Sequence, residues 1–408
     1  MHSQGDLSPF GRFLEYRVPI SATLVVVALA SLFVLPSQSA SSLITYLLAI
    51  YCLCGFRRWR SLWFQPAFLL VVALLVYIPL TSLWSASWDG GAAASQAVRS
   101  VLVLAFVVAV AESVQVDWFR ERMTLVLAIV GGLAAVAAIT VFFAESPEDG
   151  RLNGLGQLDT HVAAAFVYAA AALGGMAWFV LRRKPLGVAG WGIVACVVAL
   201  CTAVVLSGSR NAIACLVLGS VCLGIAHRSA TRSRFVLHGA ALAAVLLVVL
   251  VLSIRLVPGA EALILPRGDS FRPGIWSDYA ARIAAEGLWF GLGVLTRDPI
   301  EVEGFPVLHQ HGLFLAVAHQ GGLFALGLTL AVVGVVLRTL FAHYEQPEAK
   351  LGLAVWALAL PGYLLDGHEL VDKIGWTWLM FWLPVGIAIG LRARWVLDDA
   401  RRFGVWFR

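Results

Sequence analysis

Arginines and histidines crowd into one polar stretch of this chain. Between Val257 and Leu313 the sequence holds Arg267, Arg272, Arg282 and Arg297 with several acids, and it ends in His309-Gln310-His311 where an apolar run resumes. Guanidinium groups grip oxyanions through paired N–H donors, and a nearby imidazole can take a proton from a hydroxyl. A second such point is Ser207-Gly208-Ser209-Arg210-Asn211, a short turn between two apolar runs. There Arg210, beside helix N-terminal amides, makes a compact anion site or else anchors a tight turn. Asp366 opens the ionisable loop that ends at Lys373, which is either ordinary loop polarity or an acid aimed at the same cavity. A metal is not expected: residues two apart diverge on a helix, and no cysteine or spaced acid completes a zinc set around His309 and His311. No cofactor is expected either.

What must position these groups is a membrane bundle. Of 408 residues, 60% are hydrophobic and 13% charged, and the mean hydropathy is +0.87. That composition excludes a soluble domain and describes a polytopic membrane protein. The net charge of +5 sits in short loops, where it signals topology rather than a nucleic-acid surface. The six cysteines (Cys52, Cys54, Cys196, Cys201, Cys215 and Cys222) fall in apolar segments as small hydrophobes, not as a disulfide framework. No cleavable signal is evident at the N-terminus, so the first apolar run is expected to be retained.

Apolar runs of about twenty residues predict an all-α protein with about twelve transmembrane helices. They centre on Val18–Leu35, Ser42–Phe56, Trp63–Leu83, Ala97–Val114, Met123–Phe143, His161–Leu181, Gly187–Leu206, Asn211–Ala226, Phe235–Ser253, Gly312–Leu337, Leu351–Leu365 and Ile374–Leu391. Alternate loops carry the cations: Arg57, Arg58 and Arg60; Arg120 and Arg122; Arg182, Arg183 and Lys184; Arg228, Arg232 and Arg234; Arg338 and Lys350. By the positive-inside rule these loops and both termini are cytoplasmic. The opposite loops are poor in cations, so arginines there need another explanation; they include Arg99, Arg151, Arg210, Arg255, Arg267, Arg272, Arg282 and Arg297. Arg255 reads as snorkelling to headgroups and Arg282 as solvated. The resulting division is 1–256 for the first nine helices, 257–310 for a long outer loop, 311–392 for the last three helices and 393–408 for a basic tail.

Within the long loop, Arg272-Pro273-Gly274-Ile275-Trp276 opens a helical pattern. Pro273 suits a first turn, Ile275, Tyr279 and Ile283 recur on one face, and Gly287, Gly291 and Gly293 mark its end. Such a helix would lie over the mouth of the bundle with its apolar face inward or on lipid. His311 precedes the tenth span, where a helix N-terminus favours a neutral ring. His319, two turns further on, reads as a satisfied histidine within the membrane.

Several of these pieces occur in the order found in the O-antigen ligase family. They are Arg151-Leu152-Asn153-Gly154, Ser207 to Asn211, Arg272 to Trp276, Gly291-Leu292-Gly293, and His311-Gly312-Leu313-Phe314-Leu315 followed by Gly321-Gly322. The chain resembles that family in layout over most of its length, and in motif over residues 150–330. It departs in having Gly312 where the family has Asn, and Asp159-Thr160-His161 where it has Pro-Asn. The resemblance implies a GT-C-like arrangement and transfer of O-antigen glycan from undecaprenyl pyrophosphate to lipid A–core, without metal and with inversion. The place implied is the periplasmic face of a Gram-negative inner membrane, the protein acting as a monomer. It also implies His311 as the base and Arg210 and Arg272 on the pyrophosphate, with Arg267, Arg151, His309 and Asp366 as further binding residues. O-antigen polymerases and protein O-oligosaccharyltransferases share these motifs and stay open as alternatives. A flippase or other transporter is the rival from another class, but no inverted repeat is visible.

Overall fold

The computed structural model describes residues 9–54, 59, 62–148, 150–182, 187–228, 272–302, 305–307, 309–367 and 369–402. The ninth expected span, together with Arg255 and Arg267, lies outside them. Eight helices come first: α1 (Pro9–Val34), α2 (Gln38–Leu53), α3 (Pro66–Leu80), α4 (Gly90–Ser113), α5 (Asp117–Glu145), α6 (His161–Arg182), α7 (Val188–Leu206) and α8 (Arg210–Arg228). After the undescribed segment come α9 (Arg272–Glu286), a hairpin of β1 (Ile300–Val302) and β2 (Phe305–Val307), α10 (Leu313–Ala342), α11 (Pro347–Leu365) and α12 (Leu383–Arg402). The hairpin, antiparallel with Ile300 opposite Val307, is a feature the apolar pattern did not announce.

Among the described residues, seven helices are long and apolar enough to cross a membrane, and four shorter apolar helices accompany them. All eleven expected spans that fall on described residues are helical. The protein is an all-α polytopic membrane protein apart from that small hairpin. Helices are the solution here because a backbone in lipid must satisfy its own donors and acceptors. Large apolar side chains accordingly point outward, as with Leu133 at 64% exposure and Phe143 at 67%. The interior is filled by Phe106, Tyr168, Trp356, Phe381 and Trp382. Small residues let spans approach: a Cβ on Gly390 of α12 would lie 3.0 Å from the Cα of Ala111 in α4.

Connections gather at the end of the bundle where α9 lies. There Leu152 N–H donates to Leu206 O at 3.0 Å, Gln157 N–H donates to Leu35 O at 3.3 Å, and Gln96 Nε2 donates to Val371 O at 3.0 Å. These are the loops predicted to be poor in cations. Helix α9 lays Ile275, Tyr279 and Ile283 inward, all buried, against Ile300 of β1 and Leu315 of α10.

Helix α10 is broken at Gly321 (φ −134°, ψ 17°) and Gly322 (φ 65°, ψ −165°). The chain after α9 splices into the break. His319 O and Gln320 O, which would otherwise face residues one turn on, accept from Leu292 N–H (2.8 Å) and Gly293 N–H (3.0 Å). In return Leu323 N–H donates to Leu288 O (2.8 Å) and Phe324 N–H to Trp289 O (3.2 Å). Four backbone groups at the kink are thereby satisfied, as a membrane interior requires. Only glycine permits so close an approach, because a Cβ on Gly291 would lie 2.5 Å from Gly322 N. The far side is pinned to α3 and the turn after it: Val294 N–H donates to Thr81 Oγ1 (2.9 Å) and Leu295 N–H to Ser85 Oγ (3.1 Å), while Tyr77 Oη–H donates to Gly321 O (3.0 Å).

Candidate functional site

The first residue of α9, the residue before the N-cap of α10 and the residue closing α11 meet at one point. Arg272 Nη2 is 3.4 Å from Asp366 Oδ2, and His311 Nδ1 is 3.7 Å from Asp366 Oδ1. One carboxylate, mostly shielded with 14% of its side chain open, thus faces both a guanidinium and an imidazole. His311 adopts a left-handed backbone (φ 47°), a conformation that side-chain-bearing residues rarely take. Two contacts hold it there: Trp276 Nε1–H donates to His311 O at 3.1 Å, and Gly312 N–H donates to Gly367 O at 3.0 Å. Gly312 itself has little room, since a Cβ would come 3.1 Å from Leu364 O. The His309 ring lies 5.1 Å from that of His311, tilted by 49°.

Arg210 and Arg151 form a neighbouring cluster. Gly208 (φ 66°) turns the chain from α7 into α8, and its open side is covered by the Arg151 side chain, whose Cγ and Nε would be 3.6 Å from a Cβ there. Arg151 Nη1–H donates to His161 Nε2 at 2.9 Å. Ser209 caps α8 through Oγ, which accepts from Ala212 N–H at 3.4 Å, and exposed Arg210 follows at the helix start. The two clusters share a carbonyl: Gly362 O accepts from Asp366 N–H at 2.8 Å and from Asn211 Nδ2 at 3.4 Å. The structure therefore brings Arg272, His311 and Asp366 together, sets His309 beside them, and ties the start of α8, which carries Arg210, to the end of α11 through Asn211 and the Gly362 carbonyl.

Two expectations are corrected. Arg282, expected to be solvated, ion-pairs with Asp298, an interaction that holds its charge firmly and raises its pKa. Asp298 O also accepts from Tyr279 Oη–H at 3.1 Å, so this pair fastens α9 to the strand that follows. His319, expected to be satisfied, is buried, and its Nε2 finds no hydrogen-bond partner among the described residues. It packs edge-on to Tyr279 with ring centroids 5.3 Å apart. Sequence reasoning also missed Trp276, His161 and Asn211 as residues that hold the site. Their positions inside or beside the motifs were the only signal.

A separate charged knot involves Arg99, whose Nη1 lies 2.9 Å from Asp372 Oδ1 and 3.6 Å from Glu369 Oε2. Glu369 keeps 39% of its side chain open. Even so, the protein packed around its carboxyl, with Asp372 beside it, pushes its pKa up to about 7 against the pull of Arg99 and Arg297.

Fold and site together define a multi-pass α-helical membrane protein whose guanidinium and imidazole groups converge at one end of the bundle. No protein-family model matches the chain. It is similar to the O-antigen ligase of Pseudomonas aeruginosa, with 24% identity over 345 residues, 84% of this chain and 82% of that protein. The likeness runs over most of the length of both proteins.

Proposed function

We propose that the protein is an O-antigen ligase. It would move a glycan from undecaprenyl pyrophosphate to a hydroxyl of lipid A–core at the periplasmic face of a Gram-negative inner membrane, both termini being cytoplasmic. The observation that supports this reading most directly is the Asp366 carboxylate facing both Arg272 and His311. In the step envisaged, the acceptor oxygen attacks the anomeric carbon and its proton passes to His311 Nε2, the ring nitrogen turned away from Asp366. The C–O bond to the pyrophosphate breaks on the opposite side, its electron pair leaves with the phosphate, and the configuration inverts. Asp366 orients the ring and balances the positive charge that it gains. Arg272 and Arg210 take up the charge growing on the pyrophosphate, which bidentate guanidinium donors can do without a divalent ion. Arg151, held by His161, and His309 would contact the substrates around them.

Purified protein given a defined undecaprenyl-pyrophosphate-linked glycan and lipid A–core tests the reading. Size-shifted lipopolysaccharide together with released undecaprenyl pyrophosphate is the expected product. Elongation of the lipid-linked glycan alone would make the protein a polymerase instead. Loss of transfer in EDTA, restored by a divalent ion, would overturn the arginine account of leaving-group stabilisation.

A further inference from the structure

At the other end of α9 from Arg272 the surface is of a different kind. Fifteen helical residues put Glu286 roughly 20 Å from that site, at 1.5 Å rise per residue. Here the Trp289 and Phe290 side chains project from the spliced loop, 65% and 62% exposed. They act as a wedge between two apolar cavities on the face of the membrane spans. One, of about 670 Å³, lies against Tyr77, Leu80 and Trp84 of α3 and the turn after it. The other, of about 420 Å³, lies against Leu323, Phe324 and Leu328 of α10. A third cavity of about 410 Å³ is polar, shares Trp84, Glu286 and Gly291 with the first, and is lined by Arg282, Arg297 and Asp298. Arg282 is neutralised by Asp298. Arg297 is exposed and acts on Glu369 only through its charge, which lowers the Glu369 pKa.

Apolar chambers beside a polar chamber lined by Arg282, Arg297, Glu286 and Asp298 match the anatomy of a membrane amphiphile. Two chambers divided by an aromatic wedge suit several acyl chains, whereas a single polyprenyl chain would occupy one continuous channel. Arg297 matches a phosphate, and Glu286 matches the hydroxyls of a sugar headgroup. We propose that this composite groove holds the anchor of the acceptor, a multiply acylated, phosphorylated glycolipid whose oligosaccharide runs along α9 to reach His311. The proposal rests on the ligase reading above for the direction of transfer, but the lipid site itself can be tested separately.

The test uses full-length protein in detergent, with lipid retention read by native mass spectrometry for lipid A, phosphatidylglycerol and undecaprenyl phosphate. Gly327→Trp fills the smaller chamber from a position whose Cβ meets nothing within 4 Å, so the span should fold normally. Arg297→Gln removes the phosphate contact from an exposed loop. Each is expected to weaken lipid A retention about tenfold and to leave undecaprenyl phosphate unchanged. Retention of lipid A as in the unaltered protein by both variants overturns the proposal. So does an equal loss of phosphatidylglycerol, which would make the groove a general bilayer contact. If transfer to lipid A–core proceeds with acceptor KM unaltered in both variants, the groove assignment falls and the ligase reading stands. If lipid A is held here but no transfer to lipid A–core occurs, the ligase reading falls and the lipid site stands.

Discussion

Asp366 Oδ1 faces Nδ1 of His311 at 3.7 Å, so the ends of two different spans bring a carboxylate up to the ring. The base proposed above depends on both partners, but unequally. His311→Ala should lower the transfer rate by about 10²–10⁴-fold, the usual contribution of a general base. Asp366→Asn should lower it less, through kcat rather than acceptor KM, because the ring stays but loses its orienting charge. Steady-state kinetics in reconstituted membranes check this. Near-normal kcat for His311→Ala with loss of activity in His309→Ala would move the base to His309.

Arg272 faces Asp366 with one terminal nitrogen, Nη2, at 3.4 Å, and its Nε is buried, so Nη1 and Nη2 are the donors left to meet a phosphate. Lysine keeps the charge and loses the planar paired donors. Arg272→Lys is therefore expected to be almost as slow as Arg272→Ala, about 10²–10³-fold down, the scale of losing one donor to a developing oxyanion. A single-turnover assay with preloaded donor measures it. Rescue to within a few-fold by lysine would show that a point charge suffices.

The splice between the loop and α10 makes a stability prediction. Gly322 has φ 65°, and a Cβ on it would lie 2.5 Å from Phe290 N. Gly322→Ala combines backbone strain with a main-chain collision and should destabilise by about 1–3 kcal/mol or more. Gly327→Ala, in open space a turn and a half later, should be neutral or slightly stabilising. Thermal unfolding in detergent followed by tryptophan fluorescence distinguishes them, and equal melting temperatures would refute the splice.

Glu369 supplies a pH dependence. Its folded-state pKa is raised to about 7, above the ordinary carboxylate range, so the native state holds this proton more tightly than the unfolded chain. Its contribution to stability is complete below the unfolded pKa and is lost as pH rises through about 7. Glu369→Gln should leave stability unchanged near pH 5 and raise it near pH 8, narrowing the difference between those two pH values. Melting curves at the two pH values are the measurement, and a variant less stable at pH 8 would show that the Arg99 ion pair outweighs burial.

The spans were legible because twenty apolar residues in a row leave few alternatives, and the inward face of α9 because Ile275, Tyr279 and Ile283 recur at helical spacing. The His311 position was legible as a polar break ahead of an apolar run. Its pairing with Asp366 was not, because that contact depends on how α10 packs beside α11, which no local pattern encodes. The same holds for Arg282 and Asp298: a charge on an exposed helix reads as solvated until the strand that follows folds back under it. Gly291-Leu292-Gly293 and Gly321-Gly322 were visible as motifs, yet their meaning lies in each other. They meet main chain to main chain, and nothing in either piece names its partner.

That meeting limits how the chain can change in length. The consecutive amides of Leu292, Gly293, Val294 and Leu295 each have an assigned acceptor, two on α10 and two on or just after α3. One residue added or removed between Glu286 and Thr296 would slide all of them off their acceptors together. Trp289 and Phe290 at the tip are open to exchange for other large side chains, but the residue count around them is not. The segment works as a spacer of fixed length between α9 and the hairpin that follows.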